Sequence, residues 1–422
     1  MHKDTRVFLT HFLHLSFLRA VSRVLPLVTV PFFMRTIGVE QYGTIEFVKA
    51  LSFYFTTFVT YGFKYSATKQ INLYKQDKAT VGQVLGAVYT IKLTAIAICC
   101  CIVIGLIFFV PSIQQDRVYL LSFFPVVVAS SLFPTFVFQG LEKIRWLTLI
   151  NLIAKILFLV GVFTLIRQPT DALLYPILLA ISDIVRLAVA FYILYYVLGI
   201  SISLPTRAMV GLQLKEGAHI FFSQLSIILY ARLPMLFLRF SVGPKAVAIY
   251  SLGDKMIRTT VGMVDPFTQA LYPTANRKLA ENRSAGLGFI MRVSIISIAA
   301  LGMIGACYWV FAGNIVQLLA GKPMQDAVAI FRLHAFLPCI VILSNILGIA
   351  VLVPIQAGGK YTLTMLMTGL LCLGLHFILV PRLQAQGAAW AILLCEVFAT
   401  VMMAFWVYRQ TKMQQHIPQP ID

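Results

Sequence analysis

About twelve stretches of this chain are each roughly twenty or more residues long and almost wholly apolar, and that recurrence limits the fold more than any other feature. A bilayer core about 30 Å thick needs about 20 apolar helical residues per crossing. The runs fall at 8–36, 44–66, 82–110, 117–139, 146–166, 172–198, 217–241, 246–273, 286–313, 326–353, 361–380 and 387–408. With 59% hydrophobic and 12% charged residues among 422, the chain does not describe a water-soluble protein with one packed core. An all-α integral membrane protein is expected. Pro26, Pro31, Pro125, Pro134, Pro234, Pro266 and Pro338 lie inside the runs and are expected to mark bends, because neighbouring helices can satisfy the backbone groups that proline frees.

Lysine and arginine in the short loops orient the crossings, since the positive side stays cytoplasmic. On alternate loops stand Lys64, Lys69, Lys75 and Lys78, then Lys143 and Arg145, then Arg207 and Lys215, then Arg277, Lys278 and Arg283, then Lys360. The opposite loops carry scarcely one each: Arg117, Arg167, Lys245, Lys322 and Arg382. With Lys3 and Arg6 at one end and Arg409 and Lys412 at the other, both termini are expected on the cytoplasmic side, which requires an even number of crossings. Arg19 and Arg23 interrupt the first run and no small-residue cleavage site follows, so that run reads as a retained crossing and not a signal peptide. A net charge of +19 would suggest nucleic acid in a soluble protein, but here the cations are spread among helix interiors and short loops, and no nucleic-acid partner is expected. Cys99, Cys100, Cys101, Cys307, Cys339, Cys372 and Cys395 lie in apolar runs without metal-ligand spacing and read as buried free thiols, so no metal site is expected.

No extramembrane segment is long enough to fold alone. Residues 201–216, with Pro205 and Arg207, read as a cytoplasmic linker between an N-terminal six-helix lobe, 1–200, and a C-terminal one, 217–422. The halves share a piece: Arg35 and Arg239 each stand shortly before Gly38 and Gly243, and a helix starts directly after each glycine turn. Two halves in the same orientation imply a parallel repeat about an axis along the membrane normal, an arrangement that transporters use.

The stretch Val242 to Lys255, VGPKAVAIYSLGDK, looks like the "LGPEAVGIYSLAYR" turn of a known family, and Leu27 to Gly43 looks like its first-helix ending, "PLLARLLGPEEYG". Gln269 to Pro273 and Gly387 to Val397 resemble its eighth helix and the opening of its last. Together these pieces resemble polysaccharide-exporting flippases of the O-antigen (Wzx) type, within the multidrug/oligosaccharidyl-lipid/polysaccharide exporter superfamily. Two departures stand out: many relatives have Asp-Arg midway through the seventh helix where this chain reads Ala231-Arg232, and the glycine after "EAV" is Ala248 here. The resemblance implies two six-helix bundles around a central cavity (the MATE-like fold) and alternating access in the bacterial inner membrane. Its implied substrate is an undecaprenyl-pyrophosphate-linked oligosaccharide, moved from the cytoplasmic to the periplasmic leaflet. It also implies a polysaccharide polymerase and a chain-length regulator as partners, with membrane lipid around the chain.

Cations inside apolar runs fit an anionic head group. Burying one costs a few kcal/mol or more, so chains keep them chiefly where they face a cavity, a partner or a substrate. Ser16, Arg19, Arg23 and Pro26 share one helical stripe, as do Glu46, Lys49, Phe53, Thr56 and Thr60 in the second run and Asp254, Arg258, Val261, Asp265 and Thr268 in the eighth. Arginine suits a pyrophosphate because its planar fork donates two parallel hydrogen bonds to phosphate oxygens. Arg19, Arg23 and Arg258 are therefore the expected head-group contacts, with Lys49 and Lys255 secondary and Lys92 and Lys155 as further candidates that can equally reach an interface or pair with another helix. Arg258 can instead pair with Asp254, and Arg186 with Asp183, at helix spacing.

Asp254, Asp265, Glu46 and Glu396 are candidates either for H+ or Na+ coupling or for charge balance in a cationic cavity, Asp265 standing directly before Pro266. No other cofactor is expected, and no phosphate-cradling Gly-Lys-Ser/Thr loop suggests ATP hydrolysis. Two rival functions were open. A membrane-embedded glycan polymerase or ligase needs an acid or base at one membrane face, yet His11, His14, His219, His334 and His376 are scattered within helices, so an enzyme is not expected. An exporter of organic cations with the same fold would place carboxylates, not arginines, in its cavity.

Overall fold

The computed structural model describes residues 28–355 and 357–414, without the side chains of residues 223, 226, 227, 229, 230, 265, 266, 270 and 411–414. Among the described residues the chain is helical throughout, with no strand. It divides into two compact units, Thr36–Arg232 and 28–35 with 233–414.

Helix α1 (28–36) belongs to the second unit up to residue 35, and in the first unit α2 (Val39–Thr60) follows Gly38. Gly38 adopts φ 85° and ψ 174°, a backbone region that a side chain would forbid, and this abrupt turn starts α2 without a side-chain cap. The helix closes on Tyr61 and Gly62, both left-handed, and α3 (Phe63–Leu73) follows. Asp77 caps α4 (Lys78–Phe109) by accepting the N–H of Ala79 and of Thr80. The Thr80 hydroxyl and these backbone N–H groups hold the exposed Asp77 carboxyl below its ordinary range. After α5 (Pro111–Gln115), α6 (Arg117–Leu132) ends at Phe133, because the following Pro134 disfavours helical backbone in the residue before it. Helices α7 (Thr135–Gly140), α8 (Ile144–Leu165) and α9 (Leu174–Tyr192) complete the unit, with α9 running on through a π turn, Ile193–Val197. One core joins Phe63, Ile71, Val84, Leu85, Val88, Phe136, Val137 and Leu194, drawn from α3, α4, α7 and the π turn.

Residues 201–216 are only half loop. Thr206 caps a long α10 (Arg207–Ser241): its hydroxyl accepts the N–H of Met209 at 3.2 Å, so helix begins ten residues before the apolar run expected at 217. The unit boundary falls within this helix, beside Pro234.

In the second unit Gly243 repeats the turn of Gly38, with φ 121° and ψ 180°, and α11 (Pro244–Glu281) starts on the next residue. Helix α11 outruns its apolar stretch; in its last turns Arg277 and Glu281 pair one turn apart and Lys278 lies 4.9 Å over the Phe289 ring. Asn282 then caps α12 (Arg283–Val310), followed by α13 (Ala312–Ala320), α14 (Gln325–His334) and α15 (Leu337–Asn345) with a π segment, Ile346–Leu352. The last helical stretch, Gly358–Gln414, is two helices, α16 (358–383) and α17 (385–414), broken at Gln384 with φ 49° and ψ −126°. Val264, Leu271, Ala275, Ile290, Ile342, Ile346 and Ala350 form the core around α11.

Large apolar side chains are exposed along the middle of the long helices: Ile98 and Ile102 on α4, Ile153, Ile156 and Val160 on α8, Ile295 and Ile296 on α12, Leu370 and Phe377 on α16. Water would penalise such faces; lipid does not. Cys101 and Cys307 lie exposed among them, contrary to the expectation that all seven thiols are buried, because a thiol facing lipid needs no protein cover. Seven helical stretches among the described residues are long and apolar enough to cross a membrane, beginning at Lys78, Arg117, Ile144, Pro169, Arg283, Gln325 and Gly358. Helices α2 and α11, at 22 and 38 residues, have the length but carry charges along it.

Candidate functional site

The embedded charges of the first unit are mostly held one turn away from a partner. On α2 the face carrying Lys49, Phe53, Thr56 and Thr60 is less covered than the face of Val48, Phe55 and Val59. The Lys49 ammonium lies 3.5 Å from the buried Glu46 carboxylate while its side chain stays 28% exposed, open enough to meet a ligand. Arg232 of α10 stacks over the Phe53 ring at 4.4 Å, adding a cation–π contact to the same face.

Lys92 sits elsewhere. It is buried, and its ammonium donates to the Ser131 carbonyl at 2.6 Å with the Phe136 ring 5.0 Å away, while the Tyr89 hydroxyl donates to the Leu132 carbonyl at 2.8 Å. Both carbonyls belong to the last turn of α6, which Pro134 deprives of helical partners. Lys92 thus caps a broken helix. Lys155 of α8 lies near the Arg186 guanidinium of α9, which pairs with Asp183 at 3.1 Å, donates to Asn151 Oδ1 at 3.1 Å and stacks over Phe133 at 4.5 Å.

The second unit places its charges on α11. Arg258 Nε donates to Asp254 Oδ2 at 2.9 Å, the within-helix pairing that the i, i+4 spacing allows, and the Arg258 side chain remains 28% exposed. Lys255, on the next residue round from Asp254, is partly exposed. Glu396 on α17 is partly exposed, and its carbonyl accepts the Thr400 hydroxyl. Arg19 and Arg23 lie outside the described residues, as does the side chain of Asp265.

One residue missed by the sequence reading joins this group. His334, wholly buried at the end of α14, brings Nδ1 to 2.8 Å from Asp254 Oδ1 and Nε2 to 3.0 Å from the Ala389 carbonyl of α17. Asp254 and His334 stand 80 residues apart, and no periodicity links them. The available signal was Gly253. A side chain there would strike the Ala327 carbonyl and Ile330, so its absence lets α14 approach α11.

Chains resembling this one agree on family and fold. A protein of Escherichia coli (strain K12) named for O-antigen transport is 28% identical over 94% of this chain and 95% of its own length. A Shigella dysenteriae protein of the same name is 21% identical over 94% and 98%. Among solved structures, an inward-facing multidrug resistance MATE family transporter of the MOP superfamily matches with a TM-score of 0.70, at 15% identity over 94% of this chain and 100% of that one. An outward-facing one gives 0.59, at 17% identity over 96% and 97%. The fold is therefore that of the MATE transporters. Residues 8–277 match the family described as polysaccharide biosynthesis protein, to which this chain belongs.

Proposed function

We propose that this multi-pass membrane protein is a flippase that moves an undecaprenyl-pyrophosphate-linked oligosaccharide from the cytoplasmic to the periplasmic leaflet of a bacterial inner membrane by alternating access. The observation that carries the reading is the contrast between the apolar crossings and the charged helices α2 and α11. A charge at membrane depth belongs where it meets water, a partner or an ionic ligand. Lys49, Lys255 and Arg258 contact the pyrophosphate together with Arg19 and Arg23, while Glu46 and Asp254 hold Lys49 and Arg258 in place and limit the positive charge. Both termini and the lysine-rich loops face the cytoplasm, and a polymerase with its chain-length regulator consumes the flipped unit.

Arg23→Gln and Arg258→Gln should each reduce surface polysaccharide, with lipid-linked units accumulating at the inner leaflet. Undiminished export by a normally expressed double mutant would sink the site assignment. Efflux of organic cations from vesicles, without turnover of the lipid-linked glycan, would favour a drug exporter instead.

A further inference from the structure

The hydrogen-bond inventory around His334 does not close for a neutral imidazole beside an ionised carboxylate. A carbonyl oxygen only accepts, so the 3.0 Å contact to Ala389 requires a proton on Nε2. Asp254 Oδ1, 2.8 Å from Nδ1, also accepts when ionised. A neutral ring has one N–H and would set two lone pairs face to face at one contact or the other. A second proton must lie between Nδ1 and Oδ1. The other carboxylate oxygen, Oδ2, accepts from Arg258 Nε at 2.9 Å.

We infer that Asp254 and His334 form a buried proton-binding site that latches α14 to α11 and to α17. With the proton bound, both contacts are satisfied at once and the three helices are tied through one ring. When it leaves, one contact must open, so the latch holds at low pH and releases as pH rises. The depth of the site makes the choice sharp: His334 is wholly buried and Asp254 5% exposed, so water cannot readily replace the lost partner. The ring is also fixed in place, with Tyr250 packed edge-on at 6.3 Å and 89°.

The other titratable and charged groups can be placed by helix. Tyr250 and Arg258 face the pair from α11 and Cys372 faces Arg258 from α16, with Cys395 and Glu396 of α17 next to Cys372. On α12, Tyr308 bonds Thr260, more than a turn further along α11 than Asp254, and Cys339 of α15 turns to the Ile298 carbonyl. His376 of α16 is held by the Cys372 carbonyl at 2.8 Å. The proposal needs nothing of the transported lipid.

The test is nitrogen NMR of the full-length protein labelled at histidine, in lipid nanodiscs, between about pH 5 and about pH 8. The His334 signal is assigned by its loss in His334→Gln. Two protonated ring nitrogens at the acid end, converting to one as pH rises, are expected. Hydrogen exchange of the α14 amides, corrected for intrinsic exchange, should accelerate roughly tenfold over the same titration, the factor equivalent to about 1.4 kcal/mol. Asp254→Asn gives a second variant should His334→Gln fail to fold. The asparagine amide donates to Nδ1 of a neutral ring whose Nε2–H still reaches Ala389, so the latch closes without the extra proton and α14 exchange becomes independent of pH. A single protonated nitrogen across the range in the wild type, or pH-dependent α14 exchange that persists in Asp254→Asn, would overturn the proposal.

Discussion

Replacing Asp254 by asparagine removes the charge that one oxygen presents to Arg258 at 2.9 Å and the other to His334 at 2.8 Å. The side chains of the ion pair are 7% and 28% exposed, so the pair sits much nearer the buried limit than the surface one. Breaking a buried pair from one side costs about 3–5 kcal/mol, because the remaining charge is stranded in a poor solvent. The partial exposure of Arg258 puts Asp254→Asn at the lower end, about 3 kcal/mol, and Arg258→Gln slightly below that because His334 still serves the carboxylate. The double variant strands no ion and should cost less than the two single effects together, leaving a coupling energy of about 2 kcal/mol. The Lys75–Glu142 pair is the control. Its nitrogen and oxygen are 3.2 Å apart, but the side chains are 42% and 57% exposed, and its coupling should stay within about 1 kcal/mol. The assay is equilibrium unfolding of purified protein in mixed micelles with a denaturing detergent, the four variants of each cycle measured side by side. If the Asp254–Arg258 coupling falls to that of the exposed pair, burial is not what gives this interaction its strength and the reasoning fails.

Lys92→Met keeps the bulk of the side chain but withdraws the donor from the Ser131 carbonyl at the α6 break. The protein should lose about 1–3 kcal/mol of stability in the same unfolding assay while retaining glycan export per folded molecule; export lost at unchanged stability would show that Lys92 acts on substrate. Asp77→Ala should remove the α4 cap and, with it, a pH dependence. The Asp77 carboxyl is held below its ordinary range in the folded chain by Thr80 and the first backbone N–H groups. Its contribution is therefore present above the unfolded value of about 4 and is lost as pH falls through the lower folded value. Melting curves of the wild type should show that acid loss and those of Asp77→Ala should lack it.

The crossings were legible because lipid constrains each residue where it stands: a helix inside a bilayer must satisfy its own backbone and turn apolar side chains outward, and both demands are written locally. The helix ends were less legible. Helix α10 begins before the apolar run at 217, where Thr206 caps it, and α11 continues past the run that ends at 273, where Arg277 pairs with Glu281; no apolar run reveals these polar turns. Glycine turns were readable for a different reason, since Gly38 and Gly243 both take backbone angles closed to other residues. Pairing within one helix, as for Arg258 with Asp254 and Arg186 with Asp183, was visible in the spacing as an alternative to substrate contact.

Contacts between helices were not. Lys92 read equally as a substrate contact or as a cation reaching another helix, and packing sets it against the α6 break; His334 read as one scattered histidine until Gly253 let α14 close on α11. By itself, then, the amino-acid order determined that the chain lives in a membrane, that it is built of helices and where its glycine turns fall, because these follow from transfer energies and backbone sterics acting residue by residue. Only the tertiary structure decided which embedded charges cap, which pair, and that Asp254 meets a histidine ring 80 residues away. Those outcomes depend on the approach of whole helices to within hydrogen-bonding distance, and that is set by the summed packing of many side chains rather than by any one of them.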